Sequence, residues 1–250
     1  MDGLELTFHL AGINNQNFLM RDEETGSYWQ QISGESVAGP LKGRRLQLVS
    51  SDELTFGLWK AEHPGGTVLQ DVARYTEGYA AKDWDVHMKT RPTVLSYAEA
   101  GLTPRDLMIG IQAFGASRAF LYDDVIRARL IQDHVGAEPV MLVVGPDGRS
   151  VRVFRRKIPG VGETPEFYRE VQEKAPDKMD AAAAEAPLLM DAATGSHWNF
   201  QGCAVDGRSR GQCLERVESI KDYWFDWRNY NPQTTVYGRK LSAADPKAAN

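Results

Sequence analysis

Apolar and polar residues alternate over Leu4–Leu10, the mark of a half-buried strand. Short runs of similar character recur at Phe18–Met20, Ser27–Ser33, Thr55–Lys60, Thr93–Tyr97, Asp106–Gln112 and Ala116–Leu121. Pro139–Val144 and Val151–Arg156 flank Pro146-Asp147-Gly148-Arg149, which predicts the clearest hairpin of the chain. Gly12–Asn17 and Asp22–Gly26 carry turn residues. Asp123–Leu130 predicts a short helix. Thr164 as N-cap, followed by Pro165, predicts another running to about Lys174. Asp71–Arg105 is polar and aperiodic, so it reads as a surface connection, and Ala181–Ala184 reads as a linker. Many short strands separated by glycine-rich turns predict a mainly β fold with a few short helices.

The chain writes one stretch twice. Asp22-Glu23-Glu24-Thr25-Gly26-Ser27-Tyr28-Trp29 returns as Asp191-Ala192-Ala193-Thr194-Gly195-Ser196-His197-Trp198, 169 positions on. One residue drops out near Ser33. At an offset of 168, Gly34, Gly39 and Gly43 then meet Gly202, Gly207 and Gly211, and Trp59, Pro64, Thr67 and Val68 meet Trp227, Pro232, Thr235 and Val236. Common repeat proteins run at roughly 20–50 residues per unit, so this spacing implies doubling of a domain-sized β unit, packed as a pseudo-twofold pair. The expected division is a first, partial unit at 1–70, a connection at 71–105, a second, more complete unit at 106–237 and a disordered tail at 238–250. The second copy of the turn follows about 85 residues of β pattern and the first follows 21, so the repeat implies a first unit incomplete at its N-terminus.

The motifs D-x-x-T-G-S-x-W, G-x-x-x-x-G-x-x-x-G-x-x-L and W-x-x-x-x-P-x-x-T-V resemble the family called domain of unknown function 3179. Gly110-Ile111, Arg118-Ala119-Phe120, Asp133-His134-Val135-Gly136, Pro139-Val140 and Phe154-Arg155-Arg156 resemble it too, so the likeness covers most of residues 4–237. The resemblance implies no established activity. It implies an exported, periplasmic or extracellular protein, and a Cys-Pro-x-Cys stretch in many members where this chain has Val143–Asp147.

Composition narrows the partners. Charged residues make up 25% and the net charge is −5, with no basic stripe interleaved with aromatics, which argues against nucleic acid. No run approaches the roughly 18 apolar residues of a membrane helix. Met1–Glu5 lacks the basic and apolar regions of a signal peptide, which taken literally means cytoplasmic. A small ligand, a carbohydrate and a homo-oligomer all remain open as partners.

Candidate chemistry gathers at the repeated turn. Asp22, Thr25 and Ser27, with Asp191, Thr194 and Ser196, either cap their own turns through side-chain to backbone bonds or form the polar end of a pocket floored by Trp29 and Trp198. His197 stands opposite Tyr28 in the repeat, and His63 opposite Asn231. His63-Pro64, in a glycine loop beside Trp59, is the more site-like of the two. Cys203 and Cys213 occupy the repeat positions of Glu35 and Arg45 and should face each other across a hairpin, as a disulfide or as two unrelated thiols. Strand alternation over Asp222–Tyr230 would place Trp224, Asp226 and Arg228 on one face, a carbohydrate-type stacking surface or a core contact. The five histidines show no zinc spacing, there is no phosphate loop, dinucleotide fingerprint or serine elbow, and no cofactor is indicated. The leading expectation is a ligand-binding or structural module acting outside the cytoplasm. The alternative is a metal-dependent enzyme using Asp22, Ser27 and His63.

Overall fold

The computed structural model describes residues 3–14, 17–47, 49, 51–93, 95–97, 100–170, 179–241 and 247–248. Strands β1 (Phe8–Asn14), β2 (Asn17–Asp22), β3 (Tyr28–Gln30) and β4 (Ser36–Ala38) form an antiparallel meander. Helix α1 (Phe56–Glu62), a 3₁₀ turn (Ala73–Gly78), α2 (Trp84–Met88) and β5 (Leu95–Ser96) follow. Then come β6 (Leu107–Ala113), β7 (Ala116–Leu121), α3 (Tyr122–Ala128), β8 (Leu130–Val135), β9 (Glu138–Val144) and β10 (Val151–Arg155). The chain continues through β11 (Phe167–Arg169), α4 (Ala181–Glu185), β12 (Leu189–Asp191), β13 (His197–Trp198), β14 (Ile220–Tyr223), α5 (Trp224–Tyr230), β15 (Thr235–Val236) and β16 (Lys247–Ala248). The fold is mainly β with a few short helices, as the pattern predicts.

Two sheets form the centre. One has the order β10-β9-β8 and the other β14-β6-β7-β15, in which β15 alone runs parallel to its neighbour. The apolar run of β9 is buried on both faces. Val140, Leu142 and Val144 join Ile109, Ile111 and Phe120 between the two sheets. Met141 and Val143 face the other way, toward Phe154, Phe167, Trp198, Phe200 and, from the first repeat, Leu58 and Ala61 of α1. On the far side of β6–β7, Met108 and Ala119 are covered by Trp224, Phe225, Trp227 and Val236. Helices thus flank a pair of packed sheets, and alternation along each central strand supplies two cores at once.

Helix α1 is also held by charge. Arg152, 3% exposed, donates to both oxygens of Glu62 at 2.7 Å and to Asp52 at 2.7 Å, and lies 4.5 Å from the centre of the Phe200 ring. Burial works to raise the Asp52 carboxyl, but bonds from Arg152 and Arg216 outweigh it and bring it down to about 2. Such a pair is costly to break from one side, because the partner is left charged and buried.

Four expected elements differ. Thr55–Lys60 is not a strand. Thr55 caps α1, its hydroxyl accepting from the Leu58 amide at 3.4 Å and donating to Asp147 at 2.6 Å. The strand expected through Asp222–Tyr230 stops at Tyr223 and turns into α5, which buries Trp224, Trp227 and Arg228 at helical spacing. In place of the helix from Thr164, Phe167–Arg169 pairs antiparallel with β12, and Phe167 seals against Trp198 at 5.9 Å. The end of that expected helix, Val171–Lys174, lies outside the described residues. The linker Ala181–Ala184 is helix α4, capped by Asp180. In the tail, Lys247–Ala248 pairs with β5, while 242–246 and 249–250 lie outside the described residues.

Candidate functional site

The repeated turns fold alike. In the first, the Asp22 carboxylate accepts from the Thr25 amide (2.5 Å), the Thr25 hydroxyl (2.8 Å), the Gly26 amide (3.1 Å) and the Trp29 indole N–H (2.7 Å). In the second, Asp191 accepts from the Thr194 amide (2.6 Å) and hydroxyl (2.7 Å), the Ser196 amide (3.2 Å) and the Trp198 indole (2.9 Å). Ser27 Oγ accepts from the Leu41 amide, and Ser196 Oγ from the Ser209 amide, the matching position. Gly39 and Gly207, both at positive φ, pass so close to Ser27 and Ser196 that a Cβ would sit 2.6 and 2.5 Å from the serine Cα.

Each carboxylate, serine and tryptophan of these turns is 0% exposed. Burial acts to raise the Asp22 and Asp191 carboxyls, but the hydrogen bonds prevail and the net shift of both is downward. An aspartate in this state has spent its lone pairs on its own turn. It offers a ligand nothing, and the indoles beneath it are sealed.

The other expected site residues are scattered. His63 is exposed at the C-cap of α1, its ring 5.9 Å from that of Trp59, while every bonding partner of the Asp22 carboxylate lies in its own turn. Asp22, Ser27 and His63 are therefore not joined into one constellation. Among the described residues no group of three His, Cys, Asp or Glu is placed to hold a metal. His197 lies between Asp206 (2.6 Å) and Glu170 (3.2 Å), and the Asp206 bond raises its pKa. Trp224 is 0% exposed and donates to the Tyr97 carbonyl at 2.8 Å, so it presents no surface for stacking. Cys203 and Cys213 form a disulfide across an antiparallel bridge, and Glu35 and Arg45 make the corresponding bridge with a 3.0 Å ion pair.

An open cleft of about 880 Å³ lies elsewhere, between the β6–β7 turn, β8 and the loop after α5. Gln112 and Ser117 face each other across the β6–β7 ladder at its edge. Asp133 and His134 enter from β8, and Asn231, Gln233 and Thr235 from the loop after α5 and the start of β15. Arg118 Nε donates to Asp133 at 2.5 Å and Nη1 to Thr235 at 3.1 Å, so the guanidinium and carboxylate cancel. Asn231 is fixed by a bond from its side-chain amide to the Trp227 carbonyl at 3.1 Å.

The rim carries a strained residue. Phe114 and Gly115 form the two-residue turn of the β6–β7 hairpin, with φ of 53° and 74°. Both central positions of such a turn need positive φ, which suits Asn-Gly and penalises a bulky ring. Phe114 nevertheless stands there, lining the cleft and 40% exposed. Gly136 at φ +59° makes room beside it, since a Cβ there would meet the Phe114 carbonyl at 3.1 Å.

Motif reading did not find this cleft. It did bring Arg118, Asp133, His134 and Gly136 together as points of family resemblance, and it set Asn231 opposite His63. Asn231, Pro232, Gln233 and Thr235 of the cleft wall thus stand at the repeat positions of His63, Pro64, Gly65 and Thr67. Phe114-Gly115, standing where Asn-Gly is the ordinary choice, was the signal that went unused.

Two packed sheets flanked by helices, with twin carboxylate-indole turns beside them, define the class: a mainly β protein with a few short helices. The chain belongs to the family described as protein of unknown function (DUF3179), whose profile matches residues 1–234. No curated protein and no solved structure matches it.

Proposed function

We propose that this protein is a non-catalytic, ligand-binding β module acting outside the cytoplasm, built from a doubled unit, with its binding site in the cleft beside Phe114. One observation carries the reading. The chemically suggestive residues of the repeated turns are consumed by the scaffold, whereas the cleft gathers polar side chains from three separated segments around one open volume. Doubling is supported by the matching bonds of the two turns and of the two hairpins beyond them. A location outside the cytoplasm is supported by the Cys203–Cys213 disulfide, since such bonds persist in oxidising compartments. Among the described residues no helix is long and apolar enough to cross a membrane.

The test fills the cleft. Ser117→Trp places an indole into it from β7. A library of small polar molecules is screened by ligand-observed NMR against the wild type and this variant. Compounds that bind only the wild type are expected, and a library that does not distinguish the two proteins would overturn the site.

A further inference from the structure

Resting on that reading, we infer that the cleft takes a neutral saccharide, one sugar ring stacking on Phe114 and its hydroxyls bonding the amide and hydroxyl side chains around it. The first argument is charge. The arginines that could recognise an anion are already neutralised. Arg118 is paired with Asp133 and further held by Thr235. Arg155 lies 5.4 Å from the Phe114 ring, but its guanidinium is shared between Glu138 (2.7 Å) and Glu215 (2.8 Å). A carboxylate or phosphate ligand would have to displace an internal carboxylate to be held.

The second argument is the kind of polar group that remains. Gln112, Gln233 and Ser117 are uncharged, and amides both donate and accept, while Asn231 and Thr235 are already engaged by the Trp227 carbonyl and Arg118. A sugar edge presents hydroxyls that do the same, and a side-chain amide spans two neighbouring hydroxyls. His134, exposed and with no hydrogen-bond partner among the described residues, adds a ring nitrogen of either sense.

The third argument is the ring. A sugar pyranose has a face of C–H groups that suits an aromatic surface. Phe114 is half-open, lines the cleft and occupies a turn position that disfavours it. Strain kept at such a place, where asparagine would relieve it, is the kind that accompanies function.

Isothermal titration of the full chain with cellotriose, maltotriose and tri-N-acetylchitotriose, and with trigalacturonate as the anionic control, tests the inference. At least one neutral trimer is expected to bind, and more tightly than trigalacturonate. Phe114→Asn restores the preferred turn, so its Tm is expected to stay the same or rise. Its affinity for the neutral trimer should fall at least tenfold, the scale of one lost stacking contact. Phe114→Tyr keeps the ring and should keep binding. The inference is overturned if trigalacturonate binds best, if no neutral trimer binds, or if Phe114→Asn binds as the wild type does. Should small molecules still be lost from Ser117→Trp in that case, the ligand class fails and the cleft stands. Should they not, both fail.

Discussion

Helices α1 and α5 follow the two copies of the repeated turn and end in the same way. The cap His63 has φ −127° and ψ 66°, the cap Asn231 has φ −125° and ψ 65°, and each amide donates to the carbonyl of the equivalent tryptophan. Their outer faces differ. Trp224 is 0% exposed where Phe56 is 62%, and Val236 is 2% exposed where Val68 is 59%. Trp227 is sealed under β6–β7, at a point where only a glycine fits: a Cβ on Gly110 would lie 2.3 Å from the indole. Trp59 is half-buried and leans on Phe56 and its own glycine loop, with no hairpin over it among the described residues. One local code, then, produces two energetic outcomes. Turn and cap are decided within about a dozen residues, and the worth of the same aromatic ring is decided by what packs on it from far along the chain.

The largest effect expected from this difference is at the tryptophans. Trp227→Ala should cost about 3–5 kcal/mol, the range for removing a fully buried aromatic ring, and Trp59→Ala only about 1 kcal/mol. Urea unfolding of the two variants checks it. Equal costs would mean that the α1 face is covered in solution and that the contrast between the helices is false.

The hairpins beyond the turns come next. Removing the disulfide with Cys203→Ser and Cys213→Ser should cost about 2–3 kcal/mol, from the entropy of the ten-residue loop it closes. Breaking the exposed ion pair with Arg45→Gln should cost no more than about 1 kcal/mol. If the two hairpins respond equally in thermal unfolding, covalent closure adds nothing that the shared turn geometry does not already provide.

What was legible in the residues follows the same division. The doubled turn, the facing of Cys203 and Cys213, the hairpin around Pro146–Arg149 and the β class were all local or repeated signals. Helices α1 and α5 were not legible, because each is seven residues long and aromatic, too short for a helical period to outweigh β-type composition. Strand β11 was hidden by good capping residues, overridden when Phe167 found the Trp198 ring. The cleft was hidden by distance. Ser117 and Asn231 share a wall yet stand 114 positions apart, and no spacing rule joins them.

The smallest expected effect concerns the other face of the two helices. Asp222 and Asp226 occupy the repeat positions of Leu54 and Leu58, which are packed in the apolar core beside β9. The aspartates instead meet each other and Asn17 of β2, whose side chain donates to Asp226 at 3.0 Å. One oxygen of each carboxyl is buried with no donor facing it, which a proton held between them would satisfy. Burial, with the neighbouring Asp226 charge second, pushes Asp222 up to about 7, and burial raises Asp226 as well, while Arg105 nearby acts to lower it. A raised carboxyl means that the folded protein holds a proton the unfolded chain has released, so stability falls as pH climbs from the ordinary value of 3.8 toward about 7 and levels off above. Asp222→Asn supplies a permanent donor. It should flatten that decline and gain about 1–2 kcal/mol at pH 8. Leu54→Asn, at the matching position, should lose stability at every pH. Chemical denaturation of both variants from pH 4 to 8 measures it. A wild-type stability that rises across this window would show that the two carboxyls share no proton, and that the face of α5 tolerates its aspartates by some means the leucine face of α1 never needed.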